Sequence, residues 1–406
     1  MDIQLVVIAF AVICGTLIGA QLLSPIVRLP TPTVQFLLGA VVANVIVAIG
    51  IDTGLRFQNF HDLVFYLFLP LLVYTAAWEI NFAELRENIV GIAALAFLGL
   101  LITTGLTATV LYVAMDHPTG FPWVAALLTG ALLAATDPAA VTSQAWVHHV
   151  RPKLALLLEG ESLLNDATAV VLFTVILGIA TAGTTSITTE STVATAMLTF
   201  TIELVGGALI GLALGFVCAP IVRRAPTNAM LWLGLSVALG AYHLSLLLHA
   251  SGVIACLVLG LMFGRHSVQE TESASHWRFV ADTTNGMLFV LMGATITWSM
   301  FSERWLAMGF AIVAVIIARF ISVHMVLTPQ NRFLNTPYTW SDRHMTGLLG
   351  MRGAITIALV LVLPVDLPYW WTIQSIAYGV VLFDLIVTAP MMPYLLGRQQ
   401  AKEVSI

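Results

Sequence analysis

Long apolar segments dominate this sequence and constrain its fold more than any other feature. Thirteen of them follow one another between residues 2 and 396, and most are as long as the roughly 20 residues that a membrane-spanning helix needs. They lie near residues 2–23, 31–50, 61–80, 88–115, 122–146, 153–180, 192–221, 228–248, 252–264, 279–300, 305–328, 344–364 and 368–396. The sequence therefore predicts an all-α polytopic membrane protein.

The composition supports a membrane location and excludes several classes of function. Of the 406 residues, 59% are hydrophobic and only 9% are charged, and the mean hydropathy is +0.96; a soluble domain carries about 25% charged residues. No basic run suggests nucleic-acid binding. Cys14, Cys218 and Cys256 lie in apolar segments without the spacing of a disulfide framework or a metal site. The first apolar segment is too long for a signal peptide and follows Asp2, so we interpret it as a membrane helix.

Lys and Arg residues predict how the segments cross the membrane, because positively charged loops stay in the cytoplasm. With the N-terminus outside, twelve of the sixteen Lys and Arg residues fall on the cytoplasmic side. These are Arg28, Arg86, Arg151, Lys153, Arg223, Arg224, Arg265, Arg278, Arg332, Arg343, Arg398 and Lys402. Arg56 and Arg304 fall outside, and Arg319 and Arg352 lie within predicted helices. The prediction is an N-out/C-in topology with a short cytoplasmic tail at 399–406.

Two predicted spans are interrupted by residues that disfavour helix. The fifth contains Thr-Asp-Pro at 136–138, and the twelfth contains Gly-Met-Arg-Gly at 350–353. Pro138 removes a backbone donor and disfavours helix at the preceding residue, which frees carbonyl groups nearby. Spans four to six and eleven to thirteen correspond with opposite orientation, which predicts inverted-topology repeats. Broken helices at matching places in two repeats indicate a transporter site.

Acidic residues lie deep within two neighbouring spans, where an ionised side chain is costly and persists mainly for function. By helical rise, Asp137 lies about 22 Å along the fifth span and Asp166 about 20 Å along the sixth, so both fall near the midplane. Ser162 and Asp166 share one face of the sixth span, and Glu161 and Asn165 share the next. Carboxylates beside freed carbonyls predict a site for a small hard cation.

Other polar residues in the spans have a structural interpretation. Glu161 needs a cationic partner at its depth, and the sequence offers two, Arg319 and Arg352. We interpret these three as bracing residues, and Asn165 as a hydrogen-bonding clamp on the broken helices. Glu159, one turn nearer the cytoplasm, either belongs to an access funnel or is simply solvated.

Five segments together resemble the monovalent cation/proton antiporter family, which includes archaeal and bacterial sodium/proton antiporters and animal sodium/proton exchangers. They are TDPAAV at 136–141, LEGESLLNDAT at 158–168, HASGVIACLVLGLMFG at 249–264, ARF at 318–320 and MRGAITIAL at 351–359. The likeness spans essentially the whole membrane domain, and TDP together with ESLLNDA is more specific than either alone.

The resemblance implies an architecture of two thirteen-helix protomers that form a homodimer. Each protomer would have a single transmembrane antiporter domain at 1–398. A six-helix core, at about 88–180 and 305–396, would move against dimerisation helices at about 1–80 and 192–264. This movement would give alternating access to the two sides of a cell membrane, expected to be a prokaryotic inner membrane.

The resemblance also implies roles for individual residues. Sodium would bind at Asp137, Ser162 and Asp166, with the Thr136 backbone as a further ligand. Glu161 would brace against Arg319. No cofactor is implied, the chain is expected not to be an enzyme, and a role in pH homeostasis is expected.

The residue beside Asp166 predicts the stoichiometry. Electrogenic relatives have two adjacent aspartates at this point, whereas here the first is Asn165. An asparagine does not titrate, so one proton on Asp166 competes with one cation. The prediction is electroneutral 1:1 exchange.

Two positions depart from the pattern of the family. The segment 74–78 lacks the acid that such antiporters often carry in the third span, and Glu79 lies four residues after Thr75 as a candidate substitute. Asp384 stands where small hydroxyl residues are usual. Glu79, Glu159 and Asp384 are therefore candidates for the ion pathway.

The predicted function is secondary-active sodium/proton antiport, with lithium and potassium as alternative ions. A potassium/proton antiporter would use the same mechanism. Two membrane aspartates could instead form an intramembrane aspartyl protease that shares one proton between them, but the chain lacks the YD and GxGD motifs of those enzymes. A passive channel explains the buried titratable acids less well than exchange does.

Overall fold

A computed structural model describes most of the chain. The described residues are 3–27, 29–49, 61–115, 120–137, 151–181, 190–222, 224–267, 271–331, 337–392 and 394. Pro138 lies outside them, as do the tail at 399–406 and several basic residues used to predict orientation. Those basic residues are Arg28, Arg56, Arg223, Arg332, Arg398 and Lys402. Within the described ranges, all regular structure is helical, as predicted.

Helices occupy all thirteen predicted positions, and the twelfth consists of two short helices. They are α1 Ile3–Val27, α2 Thr31–Ala48, α3 His61–Glu79, α4 Phe82–Ala114, α5 Trp123–Ala134, α6 Pro152–Thr181, α7 Glu190–Val222, α8 Thr227–Leu247, α9 Gly252–Ser267, α10 Thr271–Thr295, α11 Trp298–Gln330, α12a Trp340–Leu348, α12b Ala354–Leu361 and α13 Trp370–Met392. Helices α3, α4 and α13 each include a π-helical turn, at Val64–Phe68, Leu95–Gly99 and Asp384–Thr388.

Eight of the described helices are long and apolar enough to cross a membrane, judged by length and composition. They are α1, α3, α4, α6, α7, α8, α11 and α13. Helices α2, α5 and α9 are apolar but shorter. The chain is therefore a multi-pass membrane protein, and the thirteen crossings and their orientation stay predictions.

Two helices stop inside the bundle, at the predicted places. Helix α5 ends at Ala134 because Ala135 takes extended backbone angles, with φ −60° and ψ 136°. Helix α12 is interrupted between Leu348 and Ala354, where Gly353 has φ −134° and ψ −142°. The first break is described only as far as Asp137. These two breaks position the polar residues of the interior.

The helices pack in two groups. Helices α4, α5, α6, α11 and α13 pack on one another, and α12b packs against α13 and α5 of this group and against α10 of the other. Helices α1, α2, α3, α8, α9 and α10 form the second group, and α7 lies against α9. Glycine allows a close crossing in the first group, since a Cβ at Gly130 on α5 would lie 2.6 Å from the carbonyl oxygen of Thr104 on α4. A division of roles between the groups stays a prediction.

Candidate functional site at the two helix breaks

The two breaks lie against each other. The backbone N–H of Asp137 donates to the carbonyl oxygen of Met351 over 2.7 Å. The N–H of Ala354, the first residue of α12b, lies 3.4 Å from Oδ2 of Asp137. A Cβ at Gly353 would overlap the Asp137 carboxylate, so this close approach requires glycine. The extended segments of α5 and α12 therefore form one unit around Asp137.

The end of α5 shows how the sequence stabilises a broken helix in an apolar interior. The last carbonyls of a helix have no intrahelical partner, and in a membrane each unsatisfied group is costly. Here four carbonyls accept hydrogen bonds from side chains of other helices. The bonds are Thr356 Oγ1 to Leu132 O at 3.2 Å, Arg352 Nε to Leu133 O at 3.0 Å, Asn165 Nδ2 to Ala134 O at 3.1 Å, and Ser162 Oγ to Thr136 O. Helices α6 and α12 thus hold the end of α5.

Glu161 and Arg319 form a buried ion pair behind this junction. Arg319 Nη1 donates to Glu161 Oε1 over 2.9 Å, and Nη2 donates to Oε2 over 2.8 Å. The two residues are 1% and 2% exposed. Asn165 Nδ2 also donates to Glu161 Oε1 over 2.9 Å, and Thr136 Oγ1 lies 3.3 Å from Oε2. Of the two cations that the sequence offered, the structure pairs Arg319 with Glu161 in the strong bidentate geometry.

Arg352 lies at the second break and makes different contacts. Its guanidinium donates to the Gly350 carbonyl through Nη1 over 2.6 Å, in addition to the Leu133 carbonyl. Its backbone N–H donates to Asp384 Oδ2 over 2.8 Å. Asp384 is 5% exposed, and its other oxygen accepts from Thr388 Oγ1 over 2.8 Å. Asp384 is therefore in contact with the break in α12.

Asp166 lies on α6, one turn after Ser162. Its Oδ1 atom is buried and has no hydrogen-bond partner among the described residues. Asp137 and Glu161 act on it electrostatically as like charges. None of the ion pairs between described residues includes Asp166. A carboxylate in such surroundings is stabilised by a proton or by a cation.

The oxygen atoms around the breaks suit a small hard cation. The carboxylates of Asp137 and Asp166, the Ser162 hydroxyl and the Thr136 carbonyl are the oxygen ligands that hard cations prefer. Ser162 donates its proton to Thr136 O, which leaves the lone pairs of the hydroxyl for a cation. Within the described ranges, no three His, Cys, Asp or Glu side chains form a metal-ligand cluster. That these oxygens bind a monovalent cation stays a prediction.

Glu79 and Glu159 lie apart from the two breaks. Glu79 ends α3 and faces Nε of Arg278 on α10 at 3.8 Å, with 40% of its side chain exposed. The carboxylates of Glu79 and Glu84 act electrostatically on Glu159. Thr75, on the same face of α3, is buried and donates to the Leu71 carbonyl over 2.8 Å. A role for Glu79 or Glu159 in the ion pathway stays a prediction.

Sequence reasoning missed two contacts in this region. The buried Thr356 was not recognised as a donor to α5, although a threonine inside an otherwise apolar helix was an available signal. Gly353 was recognised as a helix breaker, but its contact with Asp137 depends on how two distant segments pack. Both contacts join segments that are distant in the sequence, so local sequence alone does not predict them.

The sequence matches the family model described as "Sodium/hydrogen exchanger, transmembrane" over residues 8–396. The chain belongs to the sodium/hydrogen exchanger family. The predicted resemblance is therefore confirmed, and the match covers nearly the whole exchanger chain.

Individual relatives agree with this assignment. The exchanger is 30% identical over 387 residues to the Na(+)/H(+) antiporter NhaP of Pseudomonas aeruginosa, with 89% of each chain covered. It is 28% identical over 379 residues to the Na(+)/H(+) antiporter NhaS2 of Synechocystis, covering 92% of this chain and 67% of that protein. The Na(+)/H(+) antiporter ApNhaP of Aphanothece halophytica is 30% identical, and the alignment covers 66% of that protein. The chain therefore spans about two thirds of the length of NhaS2 and of ApNhaP.

A solved structure shows the same fold. The sodium proton antiporter MjNhaP1 from Methanocaldococcus jannaschii superposes with a TM-score of 0.80 at 20% sequence identity. The alignment covers 97% of the exchanger and 99% of the archaeal chain. The family and these relatives are transporters, so the exchanger is not an enzyme and the protease alternative is set aside.

Proposed function

We propose that the exchanger carries out electroneutral 1:1 exchange of Na⁺ and H⁺ by alternating access. The observation that carries this proposal is the buried oxygen of Asp166, which has no hydrogen-bond partner among the described residues and lies on the helix that holds the break in α5. A proton and a cation compete for this carboxylate, so each can enter only after the other has left. The similar proteins NhaP and NhaS2 are named Na(+)/H(+) antiporters, which supports sodium as the cation.

The surroundings of Asp137 support a division of labour between the two acids. Asp137 lies at the N-terminus of α12b, where unpaired N–H groups and the helix dipole stabilise an anion. Asp166 has no comparable partner in the part of the chain that the structure describes. Asp137 therefore stays ionised and helps to bind Na⁺ together with Ser162 and Thr136, while Asp166 exchanges its proton for the ion.

Four residues serve as braces in this proposal. Asn165 clamps the end of α5 to α6, the pair of Glu161 and Arg319 ties α6 to α11, and Arg352 ties the break in α12 to α5. Because Asn165 does not titrate, it adds no second proton, which keeps the exchange at one for one. A sodium current under voltage clamp would contradict this stoichiometry.

At the scale of the protomer, the helices within 88–180 and 305–396 move as a core against dimerisation helices within 1–80 and 192–264. Helix α10 packs against α1, α2 and α3 and also against α12b, so it lies between the two sets. Exchange of this kind in a bacterial inner membrane contributes to pH homeostasis.

The test is the dissipation of a pH gradient in proteoliposomes on addition of Na⁺, Li⁺ or K⁺, with valinomycin and potassium to clamp the membrane potential. We expect Na⁺-dependent proton movement that the clamp does not change and that Asp166→Asn abolishes. Asp366→Asn, at an exposed loop position, is the matched control and keeps full activity. Proton movement with K⁺ alone would assign potassium/proton exchange, ion flux without a counter-ion would indicate a channel, and an active Asp166→Asn variant would make Asp166 structural.

A further inference from the structure

One peptide group in the break of α12 connects Asp137 with Asp384. The Met351 carbonyl accepts the backbone N–H of Asp137 at 2.7 Å, and the Arg352 N–H donates to Asp384 Oδ2 at 2.8 Å. This C=O and this N–H belong to the same peptide bond. The position of Asp384 therefore sets the position of the group to which the Asp137 backbone is bonded.

Asp384 is itself held firmly. It begins the π-helical turn Asp384–Thr388 of α13, and Thr388 Oγ1 donates to its second oxygen over 2.8 Å. Both carboxylate oxygens are thus occupied, and the side chain is buried. A π turn inside an α-helix is uncommon and frequently marks a functional position.

Asp384 also balances a buried charge. Two guanidinium groups lie near the breaks, and Glu161 neutralises Arg319 through two hydrogen bonds. Asp384 is the leading opposite charge acting on Arg352. Without Asp384, the positive charge of Arg352 would oppose a cation bound at Asp137 and Asp166.

We propose that Asp384 is a positioning residue of the cation site, which fixes the Met351–Arg352 peptide and neutralises Arg352 so that the site keeps its full negative charge. The inference rests on the proposed function, because it assumes that Na⁺ binds at Asp137 and Asp166. It assigns Asp384 to the support of the site rather than to the ion pathway.

The experiment compares wild type, Asp384→Asn and the double variant Asp384→Asn with Arg352→Gln in proteoliposomes at alkaline pH, where protons compete least. We expect Asp384→Asn to raise the apparent KM for Na⁺ about tenfold, a change that corresponds to about 1.4 kcal/mol, with the maximal rate changed by less than about twofold. The double variant removes the unbalanced guanidinium together with its hydrogen bonds to the Leu133 and Gly350 carbonyls, so its KM is expected to fall between those of Asp384→Asn and wild type. Asp366→Asn is the matched control, since it makes the same change from acid to amide at an exposed loop position, and its KM is expected to stay close to that of wild type.

A second readout separates this inference from the proposed function. Na⁺-dependent thermal stabilisation of the purified protein measures binding without transport. If wild type shows neither exchange nor stabilisation by Na⁺, the proposed function fails. If wild type shows both, and Asp384→Asn has an unchanged KM or loses only maximal rate, the positioning role is wrong. If Asp384→Asn does not fold, the double variant is the test. A tenfold raised KM in that charge-balanced protein would show that the charge of Asp384 is not what supports Na⁺ binding.

Discussion

Glu161 and Arg319 show how single residues stabilise the interior of this exchanger. Each is almost completely buried, and each provides the counter-charge of the other. Removing one partner of a buried pair leaves an uncompensated charge in an apolar region, whereas removing both does not. The consequence can be measured with two variants.

We expect Glu161→Gln to lower the free energy of unfolding by about 3–5 kcal/mol, because Arg319 stays buried without its counter-charge. The double variant Glu161→Leu with Arg319→Met is expected to be more stable than the single variant, since it buries no charge. Thermal unfolding of the purified proteins measures both. Equal melting temperatures for wild type and Glu161→Gln would show that the pair does not contribute to stability.

Sequence reasoning identified individual side chains of the site but not all of their partners. The acids at 137 and 166 were identified because an ionisable side chain in an apolar span is rare and costly. From the residues alone, the choice between Arg319 and Arg352 as the partner of Glu161 stayed open, because it depends on how α11 and α12 are rotated about their axes. The family resemblance implied Arg319, and the structure shows that pair. Hydropathy records how deep a residue lies but not which neighbouring helix it faces.

At the scale of the helix, the break in α12 depends on the absence of a side chain at Gly353. We expect Gly353→Ala to reduce the exchange rate about tenfold or more, because its Cβ overlaps the Asp137 carboxylate and displaces it. Gly105→Ala on α4 is the control, since a Cβ there meets no atom within 4 Å. The initial rate of Na⁺-driven proton movement is measured for both variants. An equal loss of rate in both would show that overlap with the Asp137 carboxylate is not the cause.

The start of α12a is stabilised by a reciprocal cap. The Asp342 N–H donates to Thr339 Oγ1 over 3.1 Å, and the Thr339 N–H donates to Asp342 Oδ2 over 2.8 Å. Arg151, just before α6, donates to the other carboxylate oxygen. The cap therefore also ties the start of α12a to the start of α6.

Asp342→Ala is expected to lower the free energy of unfolding by about 1–2 kcal/mol, the usual effect of losing a cap. The matched control is Asp62→Ala, whose side chain is 83% exposed and, among the described residues, pairs with its neighbour His61. Thermal unfolding distinguishes the two. A melting temperature for Asp342→Ala as high as that of the control would show that the cap is dispensable.

The helices themselves were largely predictable. Apolar length predicted a helix at each of the thirteen positions, and eight of the described helices are long and apolar enough to cross a membrane. The starts of α4 and α10 were placed too late, near 88 and 279 instead of Phe82 and Thr271, because their first turns are polar. The early end of α5 followed from Asp137 and Pro138, whose effect on the backbone is local.

At the scale of the whole molecule, the predicted homodimer can be tested with the native cysteines. Cys14 on α1 and Cys218 on α7 are partly exposed, whereas Cys256 is buried with its thiol 3.3 Å from the Ala238 carbonyl. We expect a bifunctional maleimide to produce covalent dimers in membranes through Cys14 or Cys218. Cys14→Ser with Cys218→Ser removes these dimers, and Cys256→Ser leaves them. Dimers that persist in the first variant, or none in wild type at any reagent length, would contradict a dimer formed through these helices.

The four carbonyls at the end of α5 have a further consequence. Their hydrogen-bond donors come from α6 and α12, so the shape of this segment is set during folding. A preorganised site loses little conformational entropy when its ligand arrives. If the proposed cation site lies at this segment, stripping water from the arriving ion is the main cost of binding. The site then fills and empties without any step in which the backbone must first become ordered.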